Sequence, residues 1–158
     1  MDISDFAAQF SEKMKAVNDF IQGDEIKDIM GVESVNHYKD SFKNEGFTDK
    51  TLEKWQEVER RKPASDWYNK GKASAGRKIL SGETKELAQS TSYTYISDGV
   101  RVTNATPYAS VHQNGEMAKI FGKKEFTMKA RPFIGKSAVL KENIETKIVS
   151  EIKNILTK

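Results

Sequence analysis

The sequence has 158 residues, of which 37% are hydrophobic and 31% are charged, and its eight Phe, five Tyr and two Trp supply large apolar groups that disordered chains lack. We expect one domain over residues 1–158, since a chain of this length buries about two thirds of the surface that it exposes when unfolded. The absence of cysteine excludes disulfides and thiolate metal sites. No apolar run approaches the roughly 18 residues of a membrane span. The acidic start over residues 1–5 lacks the basic opening of a secretory signal, so we expect a cytoplasmic protein without a membrane anchor.

The formal net charge of +3 conceals an uneven distribution along the chain. Residues 1–59 carry a net charge of −7, residues 60–136 carry +9, and the remainder carries +1. Three interpretations fit this asymmetry: an acidic and a basic face that meet between copies of the protein, a basic face for DNA, or two solvated surfaces.

The N-terminal region has the pattern of an amphipathic helix, because apolar residues recur at three- and four-residue steps: Ile3, Phe6, Ala7, Phe10, Met14, Val17 and Ile21. The pattern predicts a helix from about Ser4 to Gln22, ended by Gly23. A shorter apolar set at Ile26, Ile29 and Met30 predicts a second helix as far as Gly31. Residues 32–45 show no clean period, and a turn is expected at residues 44–46.

A further helix is predicted after this turn, with Thr48 or Asp49 as its cap and Leu52, Trp55 and Val58 at three-residue steps. Pro63 stops or kinks it. From there to about residue 78 we expect a loop that is mobile over residues 62–78, because it is long and rich in glycine and positive charge.

The middle of the chain has the signals of antiparallel strands. After a short helical turn around residues 83–90, the β-branched and aromatic run at 91–96 and the alternating run at 100–103 flank the turn residues Asp98 and Gly99. A second hairpin is predicted from residues 117–121 and 125–129, around Gly122.

Two more helices complete the predicted fold. Pro107 opens a short helix that Gly115 closes. The C-terminal helix carries one apolar stripe of Leu140, Ile144, Ile148, Ile152 and Ile155 or Leu156. The expected fold is α+β: an antiparallel sheet of about four strands, packed with a long N-terminal and a long C-terminal amphipathic helix.

None of the motifs examined favours catalysis. Residues 71–78 have the glycine spacing of a phosphate-binding loop, but Arg77 and Lys78 stand where its lysine and hydroxyl belong. His37 and His112 are too far apart in sequence to form a typical zinc pair, and no serine lies in a nucleophile elbow. We expect no enzyme activity, no metal and no cofactor.

DNA binding is the main alternative from composition. Basic clusters at residues 60–62, 70–78 and 119–131 are suited to contact phosphates, and Trp67, Tyr68 and Phe126 lie nearby for stacking. No helix-turn-helix, finger or RNP-like pattern accompanies this charge. Arg131 is suited to pair with an acidic residue of a neighbouring subunit, of the first helix, or nearby in its own chain.

Four groups of residues occur in an order that resembles the phage virion morphogenesis family, the tail completion proteins of Mu-like phages. In chain order they are Phe42, Gly46, Trp55 and Arg60-Arg61-Lys62; Ile79-Leu80, Gly82, Leu87 and Ser90; Tyr108, Ala109, His112 and Gly115; and Arg131, Pro132, Phe133 and Gly135. The amphipathic C-terminal helix follows at once. The sequence departs from the family pattern between Gly82 and Leu87, where four residues stand in place of one.

The resemblance implies a structural α+β subunit of the phage particle. Such a subunit closes into a ring, typically of six copies, at the head-proximal end of the tail, so that the tail can join the head. Its implied partners are its own copies and other tail and head-connector proteins, with DNA contact secondary. It would be found in the virion neck and, during assembly, in the bacterial cytoplasm. The candidate interface consists of Lys70, Lys72, Arg77 and Lys78.

Overall fold

The computed structural model describes residues 2–68, 70, 76–120 and 122–158. Within these ranges the helices are α1 (Ile3–Gln22), α2 (Asp24–Asn44), α3 (Glu86–Gln89), α4 (Ala109–Asn114) and α5 (Ala138–Thr157), with a 3-10 turn at Glu59–Arg61. The strands are β1 (Gly46–Thr48), β2 (Leu52–Lys54), β3 (Thr91–Ile96), β4 (Gly99–Asn104), β5 (Met117–Ile120) and β6 (Lys124–Thr127). The mixed α+β class is therefore confirmed.

The three long helices pack on one another, and α2 also packs against the β1 and β3–β4 strands. The α5 helix runs antiparallel to α2: Val139 N–H donates to Asp49 O beyond the end of α2, and Lys147 pairs with Glu33. Both predicted terminal helices are present. The apolar stripe of α5 faces α1 and α2 rather than a sheet, so the expectation that two helices bracket a sheet is wrong.

The α2 helix continues to Asn44, whereas the apolar pattern predicted that it would end near Gly31. Its buried face includes Gly31, Ser34 and Ser41. Glycine is needed at position 31, because a Cβ there would lie 2.3 Å from the ring of Tyr93. Because part of the buried face of α2 consists of Gly and Ser, the spacing of apolar residues in the sequence does not reveal this face.

The strands form three separate two-stranded antiparallel hairpins, β1–β2, β3–β4 and β5–β6, so the prediction of one four-stranded sheet is wrong. The two hairpins predicted in the middle of the chain are both present. The helix predicted around Trp55 is instead β1–β2 followed by extended chain. Asp49 contacts the start of a distant helix instead: its Oδ1 accepts the N–H of Ala138 at 2.8 Å, next to Ser137, the N-cap of α5.

One buried apolar cluster joins residues that are spread over the chain: Phe42, Trp55, Ile79, Leu87 and Phe133. The Phe42 ring lies 5.1 Å from the Phe133 ring and 5.6 Å from the Trp55 ring, measured between centroids. Phe133 is only 1% exposed. Burial of these side chains fixes the irregular segments that surround the site described below. Among the described helices, none combines the length and hydropathy that crossing a bilayer requires.

Candidate functional site

The residues singled out by the sequence motifs fall into two groups. Phe42, Trp55, Leu87 and Phe133 belong to the buried cluster, against which Ala109 packs. Gly82, Leu87, Tyr108, His112 and Arg131 line a pocket of about 380 Å³. Ser90 ends α3, and its carbonyl accepts the N–H of Ala105 at 3.3 Å. The structure thus brings the four motif groups together around one core and one pocket.

The segment 131–135 has no regular secondary structure, yet side chains from three other elements hold its backbone. Trp55 Nε1–H donates to Pro132 O at 2.8 Å, and Tyr38 O–H donates to Gly135 O at 2.9 Å. Gln113 Oε1 accepts the N–H groups of Phe133 and Ile134 at 3.0 and 3.1 Å, and its Nε2–H donates to Ile134 O at 2.6 Å. The Gln113 amide therefore satisfies backbone N–H and C=O groups that would bond to a neighbouring strand in a sheet.

Neither Gln113 nor Tyr38 was among the motif residues considered in the sequence. Gln113 lies on α4 directly after His112, where a polar residue on a short helix is typically solvated. Tyr38 lies in the part of α2 that shows no apolar period. Their adjacency to motif residues and buried partners is visible only once the chain is folded.

Gly115 ends α4 as the Pro107–Gly115 pattern predicted. It lies in the left-handed region with φ 74°, and a Cβ there would lie 2.8 Å from both Met128 O and Ala130 N. Its close approach to residues 128–130 also brings Arg131 N–H within 2.7 Å of His112 O. This turn therefore sets the positions of His112 and Arg131 relative to each other.

We call the 380 Å³ recess the basic pocket. Its apolar wall comes mainly from Val58, Ile79, Leu80, Leu87 and Met128. Its cationic and imidazole side chains are Arg60, Arg77, Lys78, His112 and Arg131. The pocket thus combines an aliphatic lining with a local excess of positive charge.

Arg60 and Arg61 tie the pocket to the end of α2. Arg60 Nη2 donates to the carbonyls of Arg77 and Lys78 at 2.7 and 3.1 Å. Arg61 forms a two-point ion pair with Glu45, the C-cap of α2, through contacts of 2.5 and 3.2 Å. That pair holds the pKa of the Glu45 carboxyl below its ordinary value. Glu45 Oε1 also accepts the N–H of Ile79 at 2.7 Å.

Two nitrogen atoms at the pocket are buried and have no hydrogen-bond partner among the described residues: Arg60 Nε and His112 Nδ1. Burial, and then the like charges of Arg61 and Arg77, lower the pKa of Arg60. Burial and the Arg131 charge lower the pKa of His112, which favours its neutral form at pH 7. An anion in the pocket would offset both effects.

His112 and Tyr108 share one face of α4, as their spacing predicts, with ring centroids 6.0 Å apart in an edge-to-face arrangement. Tyr108 O–H donates to Glu86 Oε2 at 2.7 Å, and this bond raises the pKa of the Tyr108 phenol. Tyr108, the N-cap of α4, therefore links this helix to α3, and both Tyr108 and Glu86 line the pocket.

Arg131 is buried, and its guanidinium Nη2 donates to the backbone carbonyl of Gln56 at 3.1 Å. Among the described residues it forms no ion pair, so the local pairing considered for it is not found. Burial lowers the pKa of Arg131, and the Glu57 charge opposes this change. Among the described residues, the Arg131 charge is therefore balanced only in part.

The four residues of the candidate interface are placed differently. Lys70 and Lys78 are exposed, and Lys78 Nζ–H donates to Lys43 O. Arg77 is half-buried, with Nη2 3.6 Å from Glu83 Oε1. Lys72 lies outside the described residues, as do positions 71–75 of the phosphate-loop pattern and of the expected mobile loop. Before them, residues 62–68 form successive turns closed by Ser65 N–H to Lys62 O and Tyr68 N–H to Ser65 O.

In chemical terms, the basic pocket is suited to hold an anionic group beside apolar atoms. Guanidinium donors bind carboxylates and phosphates strongly, and a partly desolvated site strengthens such bonds. In the part of the chain that the structure describes, no cluster of three metal-ligating side chains is found.

Comparison with known proteins connects this geometry to a role. The sequence profile of the phage virion morphogenesis family matches residues 48–153, which include every motif residue from Trp55 to Gly135. No curated protein and no solved structure matches the chain. The match covers more than half of the chain and includes both the clamped segment and the basic pocket. The chain therefore belongs to the phage virion morphogenesis family, and its role is that of a structural protein in the assembly of phage particles.

Proposed function

We propose that this protein is a tail completion subunit, which forms a ring of six copies at the head-proximal end of a phage tail. The ring makes the tail competent to join the DNA-filled head. The observation that carries the proposal is the family match over residues 48–153, because it includes the segments from which the core and the pocket are built. A subunit with this task acts through interfaces, so its chemistry is recognition rather than bond breaking.

The proposed partners are further copies of this chain and the adjoining tail and head-connector proteins. The proposed interface includes Lys70, Lys72, Arg77 and Lys78, whose charges are suited to meet acidic residues of a neighbour. The charge asymmetry supports this arrangement, since residues 1–59 carry −7 and residues 60–136 carry +9. In the cell, the subunit is expected in the cytoplasm before it enters the neck of the virion.

Deletion of the gene tests the proposal. We expect lysates of the deletion strain to contain finished tails and separate DNA-filled heads in electron micrographs, and a plasmid copy of the gene to restore joined virions. Reversal of the four charges should leave a folded subunit that fails to restore them. A normal yield of joined virions from the deletion strain would refute the tail-completion role, whereas normal assembly with the charge-reversed variant would refute only the interface.

DNA binding is the second candidate, and the positive charge of the basic pocket favours it. It predicts that affinity for duplex DNA falls steeply as salt rises, because bound phosphates release counterions. Fluorescence anisotropy with a labelled duplex at several salt concentrations separates the two functions. A steep salt slope together with normal virions from the deletion strain would favour DNA binding over tail completion.

A further inference from the structure

The first three turns of α1 present an apolar face to solvent. Ile3 is 89% exposed, Phe6 60%, Phe10 55% and Met14 45%, and we call these four residues the α1 stripe. The Phe6 and Phe10 rings stack with centroids 6.2 Å apart. Both halves of a capping box are present at Asp2 and Asp5. A defined helix with a continuous exposed apolar face is typical of an interaction surface.

The stripe is uncovered because α5 does not reach it. Lys13 Nζ–H donates to Leu156 O at 2.6 Å, one residue before α5 ends at Thr157. Beyond this contact Val17 and Phe20 of α1 are buried. Gln9 and Glu12 still line a recess with Ile155 of α5, whereas Ile3, Phe6 and Phe10 remain more than half exposed. The chain thus makes an amphipathic helix of 20 residues in which only Val17 and Phe20 are buried.

The charge on these turns restricts the class of partner. Up to residue 12 the charged side chains are Asp2, Asp5 and Glu12, and the first cation is Lys13. A complementary surface therefore needs apolar recesses next to positive charge. The basic pocket has both, since aliphatic side chains form its wall and its four cationic side chains outnumber its one lining carboxylate, that of Glu86. Arg60 Nε also lies buried at the pocket without a partner among the described residues, which a carboxylate would supply.

The stripe and the pocket lie at opposite ends of α2. The pocket is at the C-terminal end, because Glu45, the C-cap of α2, accepts the N–H of the lining residue Ile79. The stripe is at the N-terminal end, because α5 runs antiparallel to α2 and meets Lys13 at its own last turn. The 21 residues of α2 span about 30 Å. One copy therefore cannot place its own stripe in its own pocket.

We propose that the α1 stripe of one copy docks on the basic pocket of a second copy, with the Asp2 and Asp5 carboxylates beside its arginines. The contact joins two different surfaces, so each copy keeps a free stripe and a free pocket, and repetition closes a ring or extends a chain. The inference rests on the proposed ring and names the surfaces that would build it.

Photocrosslinking tests the contact directly. Phe6 is replaced by the photoreactive p-benzoylphenylalanine, and Val149, which is 49% exposed on α5, is replaced in a matched control. Both variants are irradiated as isolated protein and in particles from the complemented deletion strain, and the crosslinked peptides are identified by mass spectrometry. We expect the Phe6 probe to join residues 77–87 or 108–131 of a second copy, and the Val149 probe to leave these segments unlabelled.

The outcomes separate this contact from the ring itself. Crosslinks from position 6 to α1 of another copy would show a symmetric pair of stripes and overturn the proposal. Crosslinks that reach only another virion protein would also overturn it, and so would the absence of any crosslink from position 6 in particles. The double variant Phe6→Ser/Phe10→Ser gives a second measurement: its mass by light scattering should fall to that of the monomer, while Val149→Ser should keep the mass of the wild type. An oligomer unchanged by the double variant would refute the docking and leave the ring intact.

Discussion

The side chain of Gln113 offers the sharpest test of how the site is held together. Its amide makes three hydrogen bonds to the segment 131–135, two from N–H groups and one to a carbonyl. Gln113→Ala removes all three and leaves the backbone groups of Phe133 and Ile134 without these partners. Phe133 is 1% exposed, so this segment cannot turn to water without uncovering the core.

The size of the effect follows from these contacts. A hydrogen bond contributes a net of about 0.5–1.5 kcal/mol, and a buried polar group left unsatisfied costs about 1–3 kcal/mol. Gln113 is itself only partly buried, so water can replace part of the loss. We expect Gln113→Ala to lower the free energy of unfolding by about 2–4 kcal/mol, which corresponds to a fall in Tm of roughly 5–15 °C for a chain of this size.

Urea denaturation followed by circular dichroism measures this change. The matched control is Asn114→Ala on the same helix, because the Asn114 side chain is exposed and bonds only to exposed Glu116 among the described residues. We expect the control to change stability by less than about 0.5 kcal/mol. If the two variants lose the same stability, the amide does not hold the segment, and the reasoning about the clamp is wrong.

Three further predictions concern α5, the α4 turn and the acidic side of the pH profile. Ile148→Asp should lower the free energy of unfolding by about 2–3 kcal/mol, because Ile148 is half-buried. The control Val149→Asp, at the neighbouring exposed position, should change stability little. Equal midpoints of the two variants in urea would contradict this prediction. Gly115→Ala should lower Tm by several degrees, because a Cβ there would lie 2.8 Å from two backbone atoms at positive φ, and an unchanged melting curve would count against the strained turn. The ion pair with Arg61 lowers the pKa of Glu45. The stability that this pair contributes is therefore present above 4.5, the ordinary carboxyl pKa, and is lost as the pH falls through the lower pKa that Glu45 has in the folded protein. Glu45→Gln should therefore flatten the acid limb of a plot of stability against pH, and an unaltered limb would show that other carboxylates control it.

Elements with strong local signals were predictable from the sequence. The α1 and α5 helices follow from apolar residues at helical spacing, and β3–β4 follows from a β-branched run before the turn residues Asp98 and Gly99. The turn itself lies one residue earlier than predicted, at residues 97–98, and Gly99 begins β4. The α4 helix follows from Pro107 and Gly115, since these residues favour helix ends through their own backbone preferences. In each case the signal lies within the element that it predicts.

Elements whose conformation depends on residues far away in the sequence were not predictable from local signals. The second half of α2 buries Ser34 and Ser41 where the chain packs closely, so its buried face carries no apolar period. Asp49 has the chemistry of a helix cap, but the helix whose first N–H it accepts begins at Ala138, 89 residues later, and has Ser137 as its N-cap. For that reason the local pattern around Asp49 predicts a helix where the structure has the β1–β2 hairpin.

The motif residues themselves were selected from the sequence, since the family order of Phe42, Trp55, Tyr108, His112 and Arg131 is visible in a linear chain. Their division into a core and a pocket was decided only by tertiary structure. The clamp on segment 131–135 shows the physical reason: its backbone groups find their partners in Gln113, Trp55 and Tyr38, far along the chain. Local sequence determines which conformations a segment favours, whereas burial and hydrogen bonds between distant segments determine which surfaces face each other.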